Sequence, residues 1–131
     1  MEDTFKLEII SPEKIIFSDN VKMVTLPSYE GEMGILKNHI PIITFLRPGK
    51  IKAEIKEKNL VEFFVEDGTI EYFDNTLVVL SASVINIKDL SKEFLEKLNK
   101  DTQDRLAEKD ITDQDRYILN HKLSTIKEIR I

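Results

Sequence analysis

No cysteine occurs among the 131 residues, which excludes disulfides, a thiolate nucleophile and Cys-ligated zinc or iron–sulfur centres. Histidine is nearly as scarce. His39 and His121 are the two present, too few for a histidine-built metal site. No apolar run exceeds four residues, against the roughly 20 that a membrane-crossing helix needs. The acidic start Met1-Glu2-Asp3 is not followed by an apolar stretch, so no secretory leader is expected. Surplus positive charge is missing too. Lys and Arg total 19 against 24 Asp and Glu, a net charge of −5. Such a chain is poorly suited to neutralising nucleic-acid phosphates. The expectation is a soluble protein in a reducing compartment, with one ordinary domain or a small domain plus an appendage.

Glycine and proline are few, and their placement is uneven. All four Gly and all four Pro lie within the first 68 residues. Both punctuate turns, so short elements are expected early and long ones late. Charge divides in the same place. Residues 1–85 hold 14 acids and 9 bases, whereas residues 86–131 hold 10 of each. A neutral, densely charged segment reads as solvated helix surface. A boundary falls at about 85–88, giving residues 1–86 and 87–131.

The first part reads as strands. Lys50 to Lys56 alternates strictly between polar and apolar residues, as does Phe5 to Ile9, the pattern of half-buried antiparallel strands. Val21–Leu26, Val61–Val65 and Thr76–Leu80 are β-branched and apolar. Pro48-Gly49 fits a type II turn, and Asp67-Gly68 and Asp74-Asn75 are hairpin dipeptides. About eight to ten short strands in 85 residues fit a β-sandwich or flattened barrel.

The second part reads as two helices. Asp89 is a candidate cap for the first, and Leu90, Phe94, Leu95, Leu98 and Leu106 recur at helical spacing. Lys109–Asp113 suits a short link. Thr112 with Asp115 has capping-box spacing, and Ile118, Leu119, Leu123, Ile126 and Ile129 form the second stripe. The short link makes the pair antiparallel. Such a hairpin is marginal by itself, because most helical stability comes from packing an apolar face. It should dock on the sandwich or on a partner, and two dockings of similar free energy would make a switch.

Motifs for bond chemistry are wanting. Neither histidine has a nucleophile turn nearby. Glu30-Gly31-Glu32-Met33-Gly34 holds two glycines, but its carboxylates would repel phosphate. Its glycines read as turn formers with positive φ. Glu30 and Glu32, flanking that turn, should be exposed and can meet a basic or amide-bearing partner.

The order of motifs carries a resemblance. Glu30-Gly31-Glu32-Met33-Gly34-Ile35 is followed by Asn38-His39-Ile40-Pro41-Ile42, then by Arg47-Pro48-Gly49-Lys50-Ile51. This series resembles the epsilon-subunit family of F-type ATP synthases, which carries E-G-E-x-G-I/V, x-x-H-x-P-L/I and x-P-G-x-I in that order. Phe5–Glu13 is similar to the family's opening. Phe63–Glu71 is similar to its G-G-x-x-E-V hairpin, with Asp67 in place of the first Gly.

The resemblance spans essentially the whole chain and implies a non-catalytic rotor component, without cofactor or metal. It implies that the sandwich contacts the gamma subunit and the c-ring, with Glu30, Gly31, Glu32, Gly34 and His39 facing the ring. It implies a hairpin that either folds on the sandwich or extends along gamma to block ATP hydrolysis. Lys122, Lys127 and Arg130 would then reach the alpha and beta subunits. Some family members bind ATP through Asp-x-x-Arg-Ala on the first helix. Asp89 and Lys92 do not restore that motif, so no nucleotide site is expected. The expected location is the cytoplasmic face of the inner membrane, reached through the ring and not through lipid. Two rivals stay open: a free-standing adaptor binding a helical partner through its hairpin, and a small hydrolase using His39.

Overall fold

The computed structural model describes residues 3–56 and 58–129. Ten strands come first: β1 (Phe5–Ile10), β2 (Ile15–Val21), β3 (Met23–Ser28), β4 (Gly31–Leu36), β5 (Ile42–Leu46), β6 (Gly49–Lys56), β7 (Asn59–Val65), β8 (Gly68–Phe73), β9 (Thr76–Leu80) and β10 (Ile85–Asn86). A single 3₁₀ turn, Ile87–Asp89, leads to α1 (Lys92–Leu106) and α2 (Asp113–Glu128). The strands form one curled sheet in the order β10-β7-β6-β3-β5-β8-β9-β1-β2, with β4 paired to β3. Every pairing is antiparallel except β1 with β9, which is parallel. The β-sandwich is thus antiparallel apart from that one pair; β1 and β9 are far apart in the chain and need no tight turn between them.

Alternation does the folding. Phe5, Leu7 and Ile9 point inward and are at most 2% exposed. They meet Ile51, Phe63, Tyr72, Leu77 and Val79 in the sandwich core. Burying each such side chain stabilises by about 1.5–3 kcal/mol. The expected run Val21–Leu26 splits in two at Lys22, since Val21 ends β2 and Met23 begins β3.

The turn chemistry is partly as expected. Asp74 and Asn75 both take positive φ, 49° and 58°, the type I′ geometry that matches strand twist. Gly68 has φ +151°. Pro48-Gly49 is different, because Gly49 is already in β6 and is not a positive-φ residue. Its need is space: a Cβ there would lie 2.4 Å from Pro27 Cβ. Gly34 likewise sits inside β4 without positive φ, so only Gly31 of that pair serves the turn, at φ +142°.

The helices follow their caps. Ser91, not Asp89, caps α1, accepting from Phe94 N at 3.0 Å. Asp89 is taken up by the 3₁₀ turn, which Asn86 caps. Thr112 caps α2 in a reciprocal capping box with Asp115. The two helices pack against each other.

Candidate functional site: the hairpin interface and the open sheet face

Strand β7 explains why the hairpin docks where it does. Phe63, Phe64 and Val65 are consecutive and all buried. Neighbouring residues of a strand face opposite ways. Phe63 and Val65 therefore belong to the sandwich core, while Phe64 belongs to a second cluster with Leu90, Leu95, Ile126 and Ile129. Ile85, Ile87 and Leu98 pack at its margin. Leu90 is in the lead-in to α1, and Phe94 stays 41% exposed. The hairpin seam is thus narrower than the sequence stripes imply.

Beside this seam lies a polar cluster. Arg47, between β5 and β6, donates from Nη1 to Tyr117 Oη at 3.1 Å. Tyr117 in turn donates to the Tyr29 carbonyl at 2.7 Å, and their rings stack at 5.8 Å. Arg47 Nη1 also faces His121 Nε2 at 3.4 Å. The His121 pKa is lowered, first by burial and second by the Arg47 charge. Lys122 reaches the sandwich directly, with Nζ 2.5 Å from Glu66 Oε1.

The expected site residues divide between two ends of the sheet. Glu30 is exposed in the β3–β4 turn, whose shape is held by the Ser28 hydroxyl donating to Gly31 O at 2.6 Å. Glu32 and Gly34 are exposed along β4. His39 follows the other end of that strand, about 20 Å away at roughly 3.3 Å per residue. Glu30 and His39 therefore do not form one loop. Glu30 lies at the same end as Tyr29 and the hairpin.

His39 sits on a different scaffold. Its Nδ1 donates to Ile40 O at 2.6 Å, and its ring and that of Tyr72 form a T-shaped pair with centroids 5.6 Å apart. Asn75 Oδ1 accepts from Asn38 N (2.7 Å) and from Tyr72 Oη (2.8 Å). Among the described residues the His39 ring hydrogen-bonds to the Ile40 carbonyl and not to a Ser hydroxyl or a carboxylate, the partner that a nucleophile–base pair needs.

The remaining candidates lie on the hairpin. Lys92 and Lys127 border a groove shared with Glu96, Asn99 and Ile126. Asp89 is in the 3₁₀ turn. Lys122 is engaged with Glu66 and so is not a free cation in this state. Arg130 lies outside the described residues.

Sequence reasoning missed Tyr29, Arg47, Phe64, Glu66 and Tyr117. Phe64 had a signal: three consecutive apolar residues in a strand mean that both faces are covered. The others had none, since Arg47 and Tyr29 meet the hairpin 70 and 88 positions away.

One further surface is uncovered. Ile43 and Phe45 on β5, Phe73 on β8 and Leu80 on β9 are 71%, 62%, 66% and 51% exposed. Register places Phe45 across from Thr69, and Thr69 across from Leu80, with Ile10 beyond it on β1. A groove of about 700 Å³ runs there, lined by Ile10, Pro12, Phe45 and Leu80 among others. Folding does not require these side chains outside, and contiguous exposed apolar surface marks an interaction site. Among the described residues, the sandwich docks its own hairpin on one side and leaves this apolar face open on another, the layout of a chain that packs against a partner.

The family model described as the beta-sandwich domain of the ATP synthase delta/epsilon chain matches residues 4–87. An ATP synthase epsilon chain of Pelagibacter ubique is 43% identical over 98% of this chain and 99% of its own. That of Parvibaculum lavamentivorans is 34% identical over 99% and 98%. In fold, the chain is similar to one in the Euglena gracilis mitochondrial ATP synthase, solved as OSCP/F1/c-ring in rotational state 1. The TM-score is 0.74 at 17% identity, over 97% of this chain and 79% of that one. The chain belongs to the ATP synthase delta/epsilon family and has the role of its epsilon members, a non-catalytic rotor-stalk subunit of the F-type complex.

Proposed function

We propose that the sandwich, residues 1–86, grips the gamma subunit through the open face of β5, β8 and β9, and meets the c-ring through the β3–β4 turn. The open apolar face is the observation that carries this reading. It lies on strands other than β6 and β7, against which the hairpin packs, and the two surfaces adjoin at Tyr29, which borders the groove and carries Tyr117. Glu30, exposed on a braced turn, supplies an acidic tip for basic and amide groups on the ring loops. His39, at the far end of β4, is then outside the contact made by the tip of that turn. In this role the protein transmits ring rotation to the catalytic head, and sits at the cytoplasmic face of the inner membrane without entering lipid.

The hairpin, residues 87–131, is the regulatory part of this reading. It is docked here through a small apolar seam and a polar cluster. Released, it would free Lys122 and Lys127 to meet acidic surfaces of the alpha and beta subunits and restrain hydrolysis. Replacing Phe45 and Leu80 together by Asp tests the grip. The double variant should keep its own fold, because both side chains already face solvent, and should lose copurification with gamma. Retained copurification would reject the assignment of that face. Deleting residues 88–131 tests the regulation: ATPase activity of the assembled complex should rise, and an unchanged rate would remove the inhibitory role.

A further inference from the structure

We propose that Arg47, Tyr117 and His121 form a proton-sensitive latch that holds the hairpin on the sandwich and lets go as the solution becomes acidic. The latch is a property of the docked hairpin; only its consequence for hydrolysis rests on the regulatory reading above.

The donor and acceptor pattern carries the proposal. A guanidinium has donors and no acceptor. Its Nη1 lies 3.4 Å from His121 Nε2, so Nε2 must be the unprotonated nitrogen in the docked state. Adding a proton there turns an acceptor into a donor and sets two cations against each other. Arg47 is not free to swing aside. Its Nη1 also bonds Tyr117 Oη, which is committed to the Tyr29 carbonyl, and its backbone N donates to Pro27 O at 3.0 Å. Tyr117 packs edge-to-face on the His121 ring at 4.6 Å. Stacked on Tyr29, it fixes one side of the cluster.

The other charges around His121 do not cancel the effect. Glu32 from β4, Lys50 and Lys52 from β6, and Glu128 from α2 line the same polar recess. Lys50 is paired with Glu62 at 3.6 Å. Among the described residues no carboxylate comes within 4.0 Å of His121, whereas Arg47 does. The nearest charge is therefore the repulsive one. Lys122 and Glu66, the adjoining ion pair, are each other's partners and leave His121 without a counterion.

The direction follows from linkage. The docked pKa of His121 is lowered from its usual 6.5, while an undocked helix leaves it near that value. The undocked state then binds more protons, so docking strengthens as pH rises. The stabilisation is whole above about pH 6.5 and is lost as pH falls from there to the docked pKa. Within that window the docked-to-undocked ratio falls by up to about tenfold per pH unit.

The chain has no cysteine, so Lys14→Cys with Lys100→Cys takes two spin labels, one on the sandwich and one on α1, and nowhere else. The docked fraction of the full chain is read from the distribution of label distances between pH 8 and pH 5. The wild-type sequence should lose the single docked distance on acidification. His121→Gln keeps an acceptor for Arg47 and cannot titrate, so it should hold the docked distance throughout. A proton-NMR titration of unlabelled wild-type protein guards against a variant that simply fails to dock. His121 should titrate below 6.5, and Arg47→Met should move it upward. Equal pH profiles for wild type and His121→Gln, or an ordinary His121 titration in the docked chain, would overturn the latch. pH-dependent docking with an unchanged ATPase after removal of residues 88–131 would leave the latch standing and reject only the regulatory reading.

Discussion

Ile126→Ala separates the two cores most cleanly. Ile126 is 6% exposed and packs in the small cluster with Phe64, Leu90, Leu95 and Ile129. The change removes three carbons. At roughly 0.8 kcal/mol per buried methylene that is about 2.4 kcal/mol, or roughly 50-fold in a docking equilibrium, since 1.4 kcal/mol is a factor of ten. A cavity term adds little, because the cluster lies at the edge of the fold and can collapse. None of these five residues belongs to the sandwich core. Amide exchange measured by NMR should therefore quicken by roughly that factor across α2 and stay unchanged in β1, β8 and β9. Equal acceleration in helix and strands would show one cooperative unit and refute the argument. So would an α2 indifferent to the substitution.

Two further substitutions test the reading of the fold. Gly49→Ala should cost about 1–3 kcal/mol in chemical denaturation, the range for overpacking, because its Cβ would meet the Pro27 ring at 2.4 Å. Gly34→Ala should be nearly neutral, because its Cβ would meet only the flexible end of Met23, at 3.0 Å. Asn75→Ala removes the acceptor shared by Asn38 N and Tyr72 Oη from a residue at φ 58°. At about 0.5–1.5 kcal/mol per net hydrogen bond, it should destabilise by about 1–3 kcal/mol. Backbone amides from Asn38 to Ile40 should lose protection before the rest of the sheet.

Local chemistry was legible and long-range chemistry was not. Thr76–Leu80, the Asp74-Asn75 turn and the Thr112–Asp115 box are written in adjacent residues, so they could be read directly. Sequence alone does not single out the cap of α1, because Asp, Asn and Ser all cap helices and all occur within six residues there. Asn86 and Ser91 took the two caps, and Asp89 was left inside the turn. Gly49 illustrates a different failure. Pro-Gly spells a turn locally, but the demand on Gly49 comes from Pro27, 22 positions earlier. The site residues divide likewise. The ordered Glu30-to-Lys50 series pointed to the family, yet only the β3–β4 hairpin geometry shows Glu30 and His39 at opposite ends of a strand. The Arg47–Tyr117–His121 cluster depends on how the hairpin lands, which no short window of sequence encodes.

Affinity capture of the tagged full-length chain from its own organism's membranes, followed by identification of what remains bound after a salt wash, is the most direct test. A passive rotor-stalk subunit brings gamma, the c-ring and the catalytic head with it. Recovery of the chain alone, as a monomer with no rotor protein attached, would contradict the account.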